Sequence, residues 1–194
     1  MYRVIVIFLA VMVLPLSVYA GEPTKVLGKT VDQVIEVLKD QSLKGEMKKE
    51  ERIQKINSIV SKTFNFREMA KKSLDKYWSM RTVQEQKDFE KLFRKLLEKT
   101  YTERIENYSD EKVNYKDEII KGKYAMVKTT IVNSQKKSIA VNYKMKQFSN
   151  GWMVYDVVID GVSLVKNYKN QFKEIITNNS YEELVTRLNR KVAS

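Results

Sequence analysis

The sequence predicts an α+β domain in which several helices pack against a four-stranded antiparallel sheet. Two changes of hydrophobic period lead to this prediction. Apolar residues recur at helical spacing up to about residue 108, at a spacing of two between residues 112 and 159, and at helical spacing again from residue 163. Helices, then a run of strands, then helices is the order expected of an α+β fold rather than of alternating βαβ units.

Residues 1–20 have the layout of a secretory signal peptide. Arg3 supplies a basic start, an apolar run extends from Val4 to Leu14, and Val18 and Ala20 form a small-residue cleavage site. We therefore expect cleavage after Ala20 and export of the mature chain. A membrane anchor is the alternative, but the apolar run is well short of the ~20 residues that a transmembrane helix needs.

Residues 21–194 are expected to form a single domain, because their number is close to the usual size of one domain. The chain contains 0 Cys and 0 His, which excludes Ser-His-Asp triads, Cys-His dyads and histidine-ligated metal sites. An enzyme would have to use carboxylates, Lys or Tyr. Asp156 and Asp160 could face the same side of a strand, but an Asp directly before Gly161 is more typical of a turn. We expect no catalytic residue and no metal site.

The formal net charge is +12, and removal of Arg3 with the signal peptide leaves +11. A basic balance often indicates a nucleic-acid partner, but export argues against one, and the charges are scattered singly along the chain. Two explanations stay open. The cations either form solvated helix faces or attract the chain to anionic membrane surfaces, where each is worth ~1 kcal/mol.

Six helices are predicted from apolar stripes and capping residues. Thr82 and Glu85 form a capping box at the start of the longest helix, Ser180 and Glu183 form another at the start of the last, and Ser163 caps the helix before it. The predicted helices span residues 23–40, 47–63, 66–78, 83–108, 163–178 and 181–192.

Four strands are predicted in the middle of the chain, starting near residue 112 and continuing over 124–132, 139–146 and 152–159. Gly122 and Asn150-Gly151 mark turns between them, since Asn-Gly suits the turns that match strand twist. An antiparallel sheet needs cover on one face only. We expect the helix at 83–108 to provide that cover.

Four segments carry more specific patterns. Residues 152–172 read WxVYDVxxxGVSLVxNYxxQF, residues 64–70 read FNFxxMA, and residues 74–78 read LDKYW. The fourth pattern runs along the longest helix through Thr82, Gln86, Phe89, Phe93, Leu97 and Tyr101. Together these segments resemble the MlaC family, the periplasmic phospholipid carriers of the Mla lipid-asymmetry pathway, also called the toluene-tolerance auxiliary family. Two residues depart from the family pattern, Asp75 in place of Gly and Lys169 in place of Arg.

The resemblance implies a soluble periplasmic carrier of phospholipid. Its partners would be an outer-membrane lipoprotein complex and an inner-membrane MCE-domain ABC transporter complex, with no cofactor and no nucleic acid. We expect a monomer that is not an enzyme. Two alternatives stay open: a protein-binding adaptor without lipid, and a carboxylate-dependent periplasmic hydrolase.

The resemblance also implies that acyl chains lie in an apolar cavity between the sheet and the helices. From spacing alone, the residues that face this region are expected to be core residues. The sequence does not distinguish core residues from residues that line a cavity. The candidate lipid-binding residues are Phe93, Leu97, Tyr143, Met145, Val154, Leu164, Val165 and Tyr168.

Overall fold

A computed structural model of the chain describes residues 21–106, 111–132 and 136–193. The predicted signal peptide, residues 1–20, lies outside these ranges, as do the last two residues of the predicted helix 83–108. The helices are α1 (Glu22–Lys39), α2 (Lys49–Val60), α3 (Phe66–Leu74), α4 (Val83–Glu106), α5 (Leu164–Asn178) and α6 (Tyr181–Ala193). Short 3₁₀ segments lie at Gln41–Leu43, Glu46–Lys48 and Asp75–Met80. None of the helices in the described ranges is long and apolar enough to cross a bilayer.

The predicted capping residues define the helix starts. The Thr82 N–H donates to Oε2 of Glu85 at 2.7 Å, and the Glu85 N–H donates to Oγ1 of Thr82 at 3.2 Å. Oγ of Ser163 accepts the Lys166 N–H at 3.0 Å at the start of α5. These bonds satisfy amides that have no partner inside the helix.

Five strands form one antiparallel sheet in the order β1-β2-β3-β4-β5. They are β1 (Lys112–Lys121), β2 (Tyr124–Val132), β3 (Ser138–Phe148), β4 (Gly151–Ile159) and β5 (Val162–Ser163). The α+β class is confirmed, and the strand count differs from the predicted four by one two-residue strand. The reason is the Asp160-Gly161 turn, in which both residues have positive φ (46° and 82°). Such a turn brings the chain back into pairing before the helix begins.

Side chains alternate between two faces of this sheet. Val127 pairs with Tyr143, which pairs with Val157, so these three residues lie on one face, which we call the inner face. Lys144 pairs with Asp156 on the opposite, outer face. A bulge at Tyr155 shifts the register of β4 by one residue, and Val154 therefore returns to the inner face opposite Met145.

The core is divided into two clusters. The helical cluster contains buried residues of α3, α4, α5 and α6, among them Phe93, whose ring lies 5.3 Å from Tyr168 and 5.8 Å from Phe172 in edge-on contacts. The sheet cluster contains Leu27 of α1 and the inner-face residues of β2, β3 and β4.

The helix α1 therefore covers the inner face of the sheet, α3 and α5 contact β4, and the prediction that the long helix α4 covers the sheet is wrong. The apolar stripe of α4 is occupied by the aromatic residues of α5 and α6, which interlock with it at close ring distances. The start of α1 is fastened to the sheet because the Thr24 N–H and hydroxyl donate to Oε2 of Glu118 in β1 at 2.7 and 2.6 Å.

A short segment joins the two clusters at the edge of β4. The Val154 N–H donates to the Thr63 carbonyl, and the Asn65 N–H donates to the Val154 carbonyl, both at 2.8 Å. Phe64, between them, packs against both clusters. Thr63 also shares a 2.6 Å hydroxyl hydrogen bond with Thr30, which holds α1 against the same edge.

Candidate functional site

The eight candidate residues fall into two groups of four. Those on the helices α4 and α5, except Leu164, lie in the helical cluster: Phe93, Leu97, Val165 and Tyr168. The other four lie in or against the sheet cluster: Tyr143, Met145, Val154 and Leu164. The structure thus places the set on two sides of the junction made by Phe64 and does not gather it around a single point.

Burial separates the candidates further. Phe93, Met145 and Val154 are 0% exposed. Leu97, Val165 and Tyr168 keep small exposed fractions of 5–7%. Tyr143 and Leu164 are only half-buried, although both pack against the sheet cluster.

Half-buried apolar side chains border the sheet cluster near α1, and we call the region that they border the cleft. Besides Tyr143 and Leu164, its half-buried apolar side chains are Val26, Val31, Phe64, Ile131 and Ile159. In a domain with a fully packed core, residues that point from a helix and a sheet toward each other would be buried. Here they retain accessible surface, so this region is less completely buried than the rest of the sheet cluster.

The apolar stripe of α1 supports this description. Leu27, Val31, Val34 and Leu38 follow one another at spacings of three or four and share one helix face. Leu27 is 1% exposed within the sheet cluster, whereas the next three are half-buried. The stripe therefore extends beyond the side chains that the sheet offers to cover it.

Sequence reasoning missed Val31, Ile131 and Ile159 as candidates. The helical spacing of Val31 and the strand alternation of Ile131 identify them as inward-facing, but inward-facing residues are ordinarily core. Only their incomplete burial distinguishes them, and burial depends on how the tertiary structure closes.

Tyr143 is a half-buried polar residue of the cleft. Burial, with a smaller contribution from Tyr115, raises the pKa of its phenol. Its hydroxyl makes no hydrogen bond with any group in the described part of the chain. Burial also raises the pKa of Tyr115 to about 12, with Asp32 of α1 adding to the effect.

The two aspartates considered for catalysis are engaged in structural contacts. Asp156 is 3% exposed, and its carboxylate accepts hydrogen bonds from Lys144 Nζ (2.9 Å), Ser163 Oγ (2.7 Å) and the Val165 N–H (3.1 Å). The carboxylate of Asp160 accepts the Ala140 N–H at 3.1 Å. Within the described ranges, no group of three or more Asp or Glu side chains is arranged to hold a metal ion.

Two surface depressions lie away from the cleft, and most of the side chains that line them are polar or charged. One is on α1 and is lined by Asp32, Ile35, Glu36, Lys39 and Asp40. The other, between α2 and α4, is lined by polar and charged side chains, among them Asn57, Ser58, Lys91 and Arg94. Neither contains a candidate residue.

Comparison with known proteins agrees with this architecture. Among curated proteins, the intermembrane phospholipid transport system binding protein MlaC of Haemophilus influenzae is 23% identical over 127 residues, covering 63% of this chain and 59% of that protein. The match thus spans about three fifths of that relative. Among solved structures, a phospholipid-binding protein from Ralstonia solanacearum, determined in complex with a phospholipid, matches with a TM-score of 0.78 at 26% identity. That match covers 89% of this chain and 98% of the other. The model of the MlaC protein family matches residues 28–190, so the chain belongs to the MlaC family.

Proposed function

We propose that this protein binds a phospholipid and holds its acyl chains in the cleft between the inner face of the sheet and α1. The half-buried apolar side chains at the cleft carry this proposal. Tyr143, Leu164, Val31, Ile131 and Ile159 leave apolar surface accessible beside a buried core, and acyl chains would cover it. The Ralstonia solanacearum protein, which shares the fold over nearly its whole length, was solved with a phospholipid bound.

The burial pattern also divides the candidate residues by role. Phe93, Met145 and Val154 have no accessible surface and are proposed to be core that supports the site. Leu97, Val165 and Tyr168 lie between these extremes and are proposed to border the cleft at its helical side. Tyr143 and Leu164 are proposed to contact the acyl chains directly.

The free energies involved favour a carrier. The acyl chains of a phospholipid contain roughly 30 methylenes, and exposing each to water costs ~0.8 kcal/mol. Free diffusion through an aqueous compartment would therefore cost on the order of 20 kcal/mol. A protein cleft that replaces the bilayer removes most of this barrier, and no catalytic group is required.

The proposed location and protein partners are based on the family resemblance. We propose export to the periplasm with cleavage after Ala20, and shuttling as a monomer between an outer-membrane lipoprotein complex and an inner-membrane MCE-domain ABC transporter complex. The name of the Haemophilus influenzae relative, a binding protein of an intermembrane phospholipid transport system, supports this assignment.

Catalysis and pure adaptor function have less support. Asp156 and Asp160 would have to leave their hydrogen bonds before either could act as an acid or a base, which disfavours a carboxylate-dependent hydrolase. A protein adaptor without lipid would have no use for an apolar cleft beside a completed core.

Solvent extraction followed by mass spectrometry tests the proposal. The full chain is purified without detergent, extracted with chloroform and methanol, and the lipid is quantified against protein. We expect close to one phospholipid per protein. Protein that contains no lipid, and takes none up from radiolabelled vesicles, would contradict the proposal. Release of lysophospholipid and free fatty acid from those vesicles would instead indicate a hydrolase.

A further inference from the structure

Two turns of the sheet meet at one end and expose apolar side chains there. The β1–β2 turn and the β3–β4 turn lie side by side, since the Gln147 N–H donates to the Lys123 carbonyl at 2.9 Å. At this end Ile119, Ile120 and Tyr124 are 37%, 49% and 48% exposed. We call Ile119, Ile120, Lys121, Lys123, Tyr124, Lys146 and Phe148 the hairpin-tip patch.

Aromatic rings and a lysine are organised on the outer face of this patch. Nζ of Lys146 lies 5.1 Å from the ring centre of Phe148 and 5.8 Å from that of Tyr124. The Tyr124 ring makes an edge-on contact with Tyr155 at 6.2 Å. Phe148 and Tyr155 are half-buried, so Tyr124 is the ring that projects furthest.

The patch carries excess positive charge. Lys121 and Lys123 are exposed and form no ion pair with any residue of the described ranges. Lys146 lies 3.5 Å from Oε1 of Glu68, and Lys72 lies 3.6 Å from the same oxygen, so one carboxylate faces two ammonium groups.

The distribution of the apolar side chains indicates the kind of partner. Ile119 and Ile120 are adjacent in one strand and lie on opposite faces of the sheet, with Ile119 on the same face as Tyr124. A protein surface that covers one face would leave the other apolar side chain in water. The interfacial region of a bilayer is fluid and can surround the tip on both faces. Tyrosine and lysine side chains suit that region because each joins an apolar body to a polar end.

We propose that the hairpin-tip patch docks the protein on anionic lipid surfaces, with Ile119, Ile120 and Tyr124 entering the interface and Lys121 and Lys123 contacting headgroup phosphates. The patch shares no residue with the lipid-binding cleft. Docking on a bilayer therefore goes beyond the carriage of lipid, and each property can fail without the other.

Vesicle flotation with matched lysine variants tests the charge. The full-length mature chain is mixed with two kinds of vesicle. One contains phosphatidylcholine alone, and the other also contains about 30% of the anionic lipid phosphatidylglycerol. Binding to the anionic vesicles should weaken about 30-fold in Lys121→Gln/Lys123→Gln, about fivefold for each lysine. Lys87→Gln/Lys91→Gln is the control, because these α4 lysines are exposed, lack ion pairs in the described ranges and change the net charge equally.

Equal weakening in the two double variants would show attraction by net charge alone and would overturn the proposal. No binding of the unaltered chain to anionic vesicles would do the same.

A fluorescence measurement tests insertion. The native Trp78 and Trp152 are 6% and 7% exposed, so a tryptophan introduced by Tyr124→Trp should dominate any change in emission. We expect a blue shift with anionic vesicles and none with poly-glutamate. The control Met47→Trp, at a position that is 99% exposed in another part of the fold, should show no shift. An equal shift with poly-glutamate would identify an acidic protein as the partner and would contradict membrane docking.

Discussion

At the scale of single residues, the distinction between core and lining rests on how much surface a side chain keeps. Tyr143 and Met145 are inner-face neighbours on β3, yet Met145 is 0% exposed and Tyr143 is half-buried. The strand pattern predicts the same degree of burial for both residues. Their difference is a property of the tertiary structure, which no local pattern encodes.

Filling the cleft should remove lipid without unfolding the protein. We expect Ile131→Trp to lower co-purified phospholipid several-fold and to change the melting temperature little, because the ring enters space that acyl chains would occupy. In a packed core the same enlargement typically costs 1–3 kcal/mol. Lipid content and melting temperature are measured on the same preparation.

Thr130→Trp is the matched control for this variant. Residue 130 is the neighbour of residue 131 in β2 and therefore lies on the outer face, away from the cleft. It should retain lipid. Loss of lipid in both variants, or full retention in Ile131→Trp, would show that Ile131 does not line the site.

At the scale of elements, local signals in the sequence identify starts and turns correctly. The Thr82–Glu85 capping box, the Ser163 cap and the turns at Gly122 and Asp160-Gly161 are where the pattern predicts them. Of the second predicted box only one half forms, because Ser180 Oγ accepts the Glu183 N–H while the Glu183 carboxylate pairs with Arg187. Each depends on a few neighbouring residues, so a short stretch of sequence contains the necessary information. The choice of α1 over α4 as the cover of the sheet depends on contacts between distant segments, such as Thr24 with Glu118 and Thr30 with Thr63. Amphipathic stripes on both helices leave that choice open.

The two departures from the family pattern contact each other. Nζ of Lys169 in α5 lies 3.0 Å from Oδ2 of Asp75 at the end of α3, and this hydrogen bond lowers the pKa of Asp75. Asp75 has φ 52° and ψ −125°, a region that glycine occupies easily and other residues do not. An exposed ion pair contributes at most about 1 kcal/mol, so it offsets only part of the strain.

At position 75, a glycine variant should therefore be more stable than an alanine variant, which is the reverse of the usual order. We expect Asp75→Gly to be more stable than Asp75→Ala by about 1–3 kcal/mol, because both lose the ion pair and only glycine relieves the backbone strain. Chemical denaturation measures the free energy of unfolding of both. Equal stability, or a more stable alanine variant, would show that the backbone at residue 75 is not strained.

At the scale of the whole molecule, tyrosines with raised pKa values make stability sensitive to alkaline pH. Burial raises the pKa of Tyr115 and of Tyr181 to about 12, with nearby Asp32 and Glu85 adding to the respective effects, and burial also raises that of Tyr143. In the unfolded chain tyrosines ionise near pH 10. Because the folded pKa values are higher, this contribution to stability is complete below about pH 10 and is lost as the pH rises toward 12.

The free energy of unfolding should thus be nearly constant from about pH 7 to 9 and fall above about pH 10. Tyr143→Phe removes one of the shifted groups, so its decline should be shallower. Denaturant titrations at several pH values, with phenolate absorbance recorded in parallel, measure both effects. Complete ionisation of all tyrosines near pH 10 in the folded protein would contradict the account.

The two clusters separate the interlocked aromatic core from the proposed lipid site. The helical cluster, with its interlocked rings of Phe93, Tyr168 and Phe172, forms a complete core on its own side of Phe64. The sheet cluster is the side left partly open beside α1. The proposed lipid site therefore lies beside the less completely buried part of the sheet cluster, away from the helical cluster.

Photocrosslinking tests most directly whether acyl chains occupy the cleft. The full chain is loaded with a phospholipid that carries a diazirine near the end of one acyl chain, irradiated, digested and analysed by tandem mass spectrometry. We predict that the label is found on α1 and on inner-face residues of β2–β4, with at least one of Val31, Ile131, Tyr143 and Ile159 labelled. The amount of label should be lower in Ile131→Trp. Label confined to the helical cluster or to surface residues outside the cleft would contradict the central claim.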